Sequence, residues 1–153
     1  MRAVYWTFLL LSVITASLAA QRSVRSKRGI VELGGIIKCS TGRMALSYLS
    51  YGCYCGHGGK GWPRDDTDWC CHKHDCCYAN AEAAGCETMT DEYLWTCKDQ
   101  EVDCDSITDQ CEKMLCQCDS EAGQCLRNAP YNKKYALWPN FLCGSIYPTC
   151  NIY

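Results

Sequence analysis

The sequence predicts a mainly α, disulfide-rich fold: two long antiparallel disulfide-linked helices, a short N-terminal helix, a glycine-rich loop and a small β-hairpin. Three observations carry this expectation. All 16 cysteines lie after residue 28, and so high and even a number points to as many as eight disulfides formed in an oxidising compartment. Cysteines recur at seven-residue intervals, at 70 and 77 and again at 104, 111, 118 and 125. Seven residues is nearly two helical turns, so each set forms a stripe on one helix face. Five glycines fall between Gly52 and Gly61, where a loop is the only reading.

The first 28 residues stand apart from that domain. After Met1 and Arg2 comes the apolar run AVYWTFLLLSVITASLAA, ending in small residues at Ala19 and Ala20. Residues 1–20 therefore read as a secretory signal peptide, too short and too rich in Ser and Thr for a permanent span. Residues 21–28, QRSVRSKR, read as a basic propeptide ending at a dibasic processing site. The domain is then 29–153, starting at Gly29. The first 28 residues hold 5 of the 15 Lys and Arg and none of the 17 Asp and Glu, so the remainder carries 10 basic and 17 acidic side chains, a formal charge of −7. Such a surface is a poor partner for nucleic acid and is repelled by anionic membranes. Any attachment to a membrane must come from apolar contact and bound cations.

The elements follow in chain order. From Gly29 to about Lys38, Ile30, Val31, Leu33, Ile36 and Ile37 have the spacing of a short helix with one apolar face, weakened by Gly34-Gly35. The segment YGCYCGHGGKGWP, 51–63, is the loop. DDTDW supplies Asp and Thr at a helix start, predicting a helix over about 67–84 that Gly85 stops. Residues 85–103 have room for a short hairpin, with Tyr93, Leu94 and Trp95 as an aromatic cluster. A second long helix is expected from Asp105 or Ser106 to Arg127. Beyond Pro130 the chain is aromatic and turn-rich.

Two antiparallel helices joined through such stripes keep a constant sum of paired residue numbers. Two registers satisfy both Cys70 and Cys77. One pairs Cys70 with Cys125 and Cys77 with Cys118; the other pairs Cys70 with Cys118 and Cys77 with Cys111. They differ in what faces His74, which shares the stripe. In the first register Asp119 lies two residues, about 3 Å of rise, from the level of His74; in the second it lies five residues, about 7.5 Å, away. Cysteine positions alone do not choose between them.

The octet CCHKHDCC, 70–77, carries the chemistry. A histidine backed by a carboxylate is a general base, because the carboxylate fixes its tautomer and stabilises the imidazolium. No serine sits in a G-x-S-x-G elbow and the cysteines are expected to be oxidised, so activated water is the simplest nucleophile. Asp75 lies in a cysteine-walled interior, where a carboxylate is costly unless paired. If Cys55 pairs with Cys71, the glycine loop is pinned one turn before Asp75. Carbonyls of Tyr54, Gly56 and Gly58 could then join that carboxylate as hard oxygen ligands, a set that suits Ca²⁺. A zinc site from His57, His72 and His74 is the weaker alternative.

YGCYCGHGGKG, followed by DWCCHKHDCCY and by CQCD at 116–119, resembles the secreted phospholipase A2 family, most of all its group X members. The resemblance spans Gly29 to Cys150. It implies a secreted, calcium-dependent hydrolase that cleaves the sn-2 ester of glycerophospholipids, phosphatidylcholine favoured, to a fatty acid and a lysophospholipid. In that reading His74 takes the proton from water and Asp119 orients it. Tyr78 and Tyr93 brace the pair. Asp75 with the carbonyls of Tyr54, Gly56 and Gly58 holds Ca²⁺, and the Gly56 N–H is the oxyanion donor. The resemblance also implies the pairs Cys39–Cys97, Cys53–Cys143, Cys55–Cys71, Cys70–Cys125, Cys76–Cys150, Cys77–Cys118, Cys86–Cys111 and Cys104–Cys116, and so the first register.

Ile30, Val31, Leu33 and Ile37 are expected to line or rim the acyl slot, and Ile30, Val31, Leu33 and Trp62 to anchor the protein on a phospholipid membrane surface, with His57 near the rim. The propeptide should act as a brake on activity. A monomer is expected, a cell-surface receptor stays open as a further partner, and nucleic acid is not expected. The rival readings are a binding module on the same fold with little turnover and a cysteine-rich protease inhibitor; the intact His74, Asp75 and Asp119 set argues against the first as the sole function.

Overall fold

A computed structural model describes residues 29–153; the signal-peptide and propeptide expectations lie outside the described residues. Helix α1 spans Gly29–Thr41. It buries Ile36 and Ile37 and leaves Ile30 and Val31 exposed. The helix runs through Gly34-Gly35 because the second glycine is needed there: a Cβ on Gly35 would lie 2.6 Å from the Trp95 ring. Trp95 therefore packs directly on the helix backbone.

Helix α2 spans Asp66–Ala83. The Asp65 side chain accepts the N–H of Asp68 at 3.0 Å, and Asp66 and Asp68 put negative charge on the first turn, where the helix dipole favours it. At the other end the N–H of Cys86 bonds the carbonyl of Ala81 and the N–H of Gly85 that of Glu82, with Gly85 at φ +93°. This is the double-bonded left-handed cap that glycine permits. Helix α3 spans Gln110–Asn128. Asp109 caps it, accepting from the N–H groups of Cys111 and Glu112.

The late start of α3 corrects the expectation of a helix from 105 or 106. Cys104 lies outside the helix and pairs with Cys116, while Cys111 pairs with Cys86. The four-cysteine stripe thus loses its first member to the preceding loop, and only Cys118 and Cys125 face α2. Those two bond Cys77 and Cys70, so the helices run antiparallel in the register that sets Asp119 near His74.

Strands β1, Thr96–Lys98, and β2, Glu101–Asp103, pair with Cys97 opposite Val102. Asp99 and Gln100, at φ +53° and +66°, make the two-residue turn whose twist matches a hairpin. Tyr93 and Leu94 precede the strands rather than joining them. The tail holds short 3₁₀ turns at Lys133–Tyr135, Asn140–Leu142 and Cys150–Ile152. It is tied back by Cys53–Cys143 and Cys76–Cys150. The remaining crosslinks are Cys39–Cys97 and Cys55–Cys71, and no cysteine is free.

The core is divided. One cluster gathers Ile36, Tyr93, Ile107 and Leu115 with Cys86, Cys104 and Cys116; a second gathers Ile37, Tyr48, Tyr51 and Leu126 with Cys55 and Cys70. Helix α3 contributes to both, Leu115 and Cys116 to the first and Leu126 to the second. Gly123 lets α1 approach it closely, since a Cβ there would come within 2.5 Å of the Ser40 hydroxyl and 3.1 Å of Ile36.

Candidate active site

The glycine loop is organised from below by a carboxylate that the sequence reading missed. Asp68 is fully buried and accepts the N–H groups of Cys53 at 2.7 Å, Tyr54 at 2.8 Å and Arg64 at 2.8 Å, so it grips both ends of the loop. Burial pushes its pKa up and those three backbone bonds oppose the rise. Gly52 is required beside it: its φ is +59° and a Cβ would lie 2.3 Å from the carboxylate. In DDTDW the residue looked like one more helix-start acid; only the chain folding back at Cys53 distinguishes it. The Tyr54 hydroxyl donates to the Gly61 carbonyl at 2.7 Å, closing the loop, and Cys55–Cys71 fastens it to α2. Within it Gly56 and Gly58 take φ of +140° and +67°.

One turn on from Cys71, α2 presents His74 and Asp75. His74 Nε2 lies 2.6 Å from Asp119 Oδ1, and the Tyr93 hydroxyl donates to Asp119 Oδ2. Both oxygens of this fully buried carboxylate are thereby engaged. An ionised carboxylate accepts only, so the imidazole carries its proton on Nε2 and leaves Nδ1 as the basic nitrogen. The Tyr78 ring lies 4.2 Å from the His74 ring. Burial, then the Asp119 charge, holds the phenols of Tyr78 and Tyr93 well above the usual range, so both remain donors at any physiological pH. Cys70–Cys125 and Cys77–Cys118 bracket His74 one turn to either side and fix its height against Asp119.

His74, Asp75 and Tyr78 open on a cavity of about 770 Å³, within the range of small-molecule sites. Its wall takes Leu33 and Ile37 from α1, its rim Ile30, and its loop side the backbone at Gly56, His57 and Gly58. Leu46 and Leu49, absent from the sequence reading, line it as well; Leu46 is 75% exposed. Their contribution had no periodic signal, because they sit around the short 3₁₀ turn Ala45–Ser47. Val31 and Trp62 do not line the cavity. Val31 is 65% exposed on the outer side of α1. Trp62 is 53% exposed, with one edge against Trp69.

The cation donors can be tested against this geometry. Asp75 faces the cavity with no hydrogen bond to its carboxylate among the described residues. Burial pushes its pKa up to about 6; His74 opposes the rise and the Asp68 charge adds to it. A partly desolvated carboxylate without donors, beside glycine backbone that exposes carbonyls, is a hard-oxygen donor set. The residues present fit Ca²⁺ on those grounds. The zinc alternative fits less well: His72 is held at both nitrogens, by the Tyr153 hydroxyl at 2.7 Å and the Pro148 carbonyl at 3.2 Å. Among the described residues no three His, Cys, Asp or Glu side chains cluster as metal ligands, and no helix is long and apolar enough to cross a membrane.

Comparison with known proteins follows the same lines. The family model described as phospholipase A2 matches residues 30–136. A phospholipase A2 of Meiacanthus atrodorsalis is 60% identical over 153 residues, all of both chains. The group 10 secretory phospholipase A2 of Homo sapiens is 48% identical over 125 residues, 82% of this chain and 76% of that one. The human group IIE secretory phospholipase A2 is 46% identical over 123 residues, 79% of this chain and 86% of its own length.

Proposed function

The chain belongs to the phospholipase A2 family, and on that premise we propose that it is a secreted enzyme that releases the sn-2 fatty acid of glycerophospholipids by calcium-dependent attack of water. The observation that carries the reading is the 2.6 Å bond from His74 Nε2 to buried Asp119, with His74 and Asp75 together on one apolar-walled cavity.

His74 Nδ1 removes a proton from a water held against it. Asp119 stabilises the imidazolium that results, and Tyr93 and Tyr78 hold Asp119 in place. The same nitrogen returns the proton to the departing glycerol oxygen as the ester bond breaks. The Gly56 N–H meets the negative charge that develops on the ester carbonyl. Asp75 and the carbonyls of Tyr54, Gly56 and Gly58 would hold Ca²⁺, which when bound supplies a positive charge to the ester carbonyl and phosphate oxygens. Leu33 and Ile37 receive acyl chain and exclude water from the bond being cut.

On the same reading, residues 1–20 are removed as a signal peptide and 21–28 as a propeptide that restrains activity. Exposed Ile30, Val31 and Trp62 meet the lipid surface by apolar contact, as a domain of charge −7 requires. Phosphatidylcholine is then a better surface than an anionic lipid. The test is fatty-acid release from phosphatidylcholine vesicles by the processed protein, with Ca²⁺ and with chelator. Release that continues in chelator refutes the mechanism, and no release with Ca²⁺ favours a binding module on the same fold.

A further inference from the structure

His72 is a buried side chain for which the hydrolytic machinery has no use. It sits on α2 one turn before Cys76, on the same helix face. The tail of the chain grips its imidazole at both nitrogens. Nε2 lies 3.2 Å from the Pro148 carbonyl and Nδ1 lies 2.7 Å from the Tyr153 hydroxyl. A carbonyl only accepts, so Nε2 carries a proton and donates it. Between those two tail residues Cys150 is bonded to Cys76. The disulfide thus fixes the middle of the segment 148–153 to α2, and His72 fixes both of its flanks.

The imidazole has a further neighbour, which seating the tail does not require. The Tyr54 ring meets it edge to face, with centroids 4.7 Å apart and planes at 89°, the geometry in which aromatic pairs attract. Tyr54 is also packed on the backbone of its own loop, since a Cβ on Gly59 would lie 2.0 Å from the ring. Its N–H donates to buried Asp68 and its hydroxyl to the Gly61 carbonyl. Its own carbonyl is one of the cation donors named above. Cys53–Cys143 joins the loop to an earlier part of the tail; the segment 148–153 reaches it through His72. We propose that His72 is a positioning residue for the cation site, which passes the hold of residues 148–153 to Tyr54 and so keeps the Tyr54 carbonyl ordered as a donor. This rests on the calcium reading of the site and gives His72 no contact with substrate or ion. A backbone donor that is ordered beforehand binds more tightly, because less freedom is lost on binding. By reciprocity the bound cation must hold the tail more firmly.

The test reads calcium affinity rather than turnover. Titration calorimetry is carried out on the protein secreted from its full coding sequence and processed at Arg28, and on Tyr153→Phe, His72→Phe and the double variant. Tyr153→Phe removes one hydroxyl from an exposed side chain that does not line the cavity. His72→Phe keeps a ring beside Tyr54 and loses both bonds to the tail. Each single change should raise the calcium dissociation constant about twofold to tenfold, as the loss of one hydrogen bond or ring contact allows. The double variant should bind no more weakly than His72→Phe, because the tail then has no imidazole to act through. In the parent, calcium should slow amide exchange at Tyr153, whose N–H bonds the Cys150 carbonyl at 3.3 Å. That measurement depends on no variant folding.

Unchanged dissociation constants, whatever the loss of thermal stability in chelator, would make His72 a structural residue of the tail and overturn the proposal. So would a double variant whose loss multiplies the two single losses, or exchange at Tyr153 that calcium leaves unaltered. If the parent binds no calcium, the cation site itself fails and the proposal falls with it.

Discussion

Replacing Asp75 with asparagine should make the calcium-free protein more stable while removing calcium binding. The magnitude follows from the site. The folded protein raises the Asp75 pKa from 3.8 to about 6 because burial desolvates the carboxylate and, among the described residues, no hydrogen-bond donor offsets it. A native pKa above the unfolded one means that the native state holds the proton more tightly. The stability this gives is fully present below about pH 4 and is lost as pH rises through about 6. The full shift is worth roughly 3 kcal/mol, and partial solvation trims that to about 2–3 kcal/mol. An amide at the same place stays neutral, so Asp75→Asn avoids the loss. Thermal unfolding with disulfides intact, in chelator and at fixed ionic strength, should show equal stability for the two proteins near pH 4. At pH 7.5 the variant should unfold on the order of 10 °C higher. Taking the difference between the proteins cancels the titration of every other carboxylate. With Ca²⁺ the order should reverse, because only the parent gains from binding. An advantage of the same size at pH 4 and pH 7.5, or none at pH 7.5, would refute the account of Asp75 as a charge held in readiness for a cation.

Other consequences can be checked more briefly. His74→Gln should lower the turnover number about 10²–10⁴-fold through loss of the base, with calcium affinity by titration calorimetry unchanged. Gly61→Ala should cost at least about 3 kcal/mol in unfolding experiments and weaken calcium binding, since its φ is +78° and a Cβ would lie 1.7 Å from the Cys143 carbonyl. Removing Cys77 and Cys118 together should cost roughly 2–4 kcal/mol and lower turnover, as the bridge fixes His74 against Asp119; unchanged turnover would show that Cys70–Cys125 alone holds the register. Trp62→Ala should reduce partition onto phosphatidylcholine vesicles about threefold to thirtyfold, as its exposed apolar area implies, without changing turnover on dispersed lipid.

Much of the architecture was legible because cysteine and glycine are read almost literally. The start and stop of α2 were within a residue or so of Asp66 and Ala83, since an Asp cap and a left-handed Gly85 leave local marks. The start of α3 was not, because Ser106 and Asp109 are both plausible caps and only the Cys104–Cys116 bridge decides that the chain is still turning there. His74 and Asp75 stood out through their neighbours. Asp119 stood out only once a register was assumed. Asp68, Leu46 and Leu49 were invisible for one shared reason: their roles depend on which distant part of the chain comes to lie beside them. Asp68 matters because Cys53 and Tyr54 fold over it, and nothing within several residues of it encodes that approach.

These three cases and the divided core lead to one conclusion about how the site is held. Asp68 and Asp119 are fully buried, Asp75 partly so, and the apolar clusters that share α3 are small. A core of that size supplies little surplus for carboxylates taken out of water. The crosslinks act on the other side of the balance, by restricting the unfolded chain rather than by enlarging the native contacts. Their placement follows the charges: Cys55–Cys71 lies one turn before Asp75, Cys70–Cys125 and Cys77–Cys118 lie either side of His74, and Cys118 is the residue before Asp119. An apolar core would resist desolvated acids at these positions; covalent bonds impose no such preference. That is why residues 29–153 can hold Asp68, Asp119 and, in part, Asp75 out of water beside an apolar cavity. It is also why the stability gained by neutralising Asp75 should come at the expense of the cation site and of nothing else in the fold.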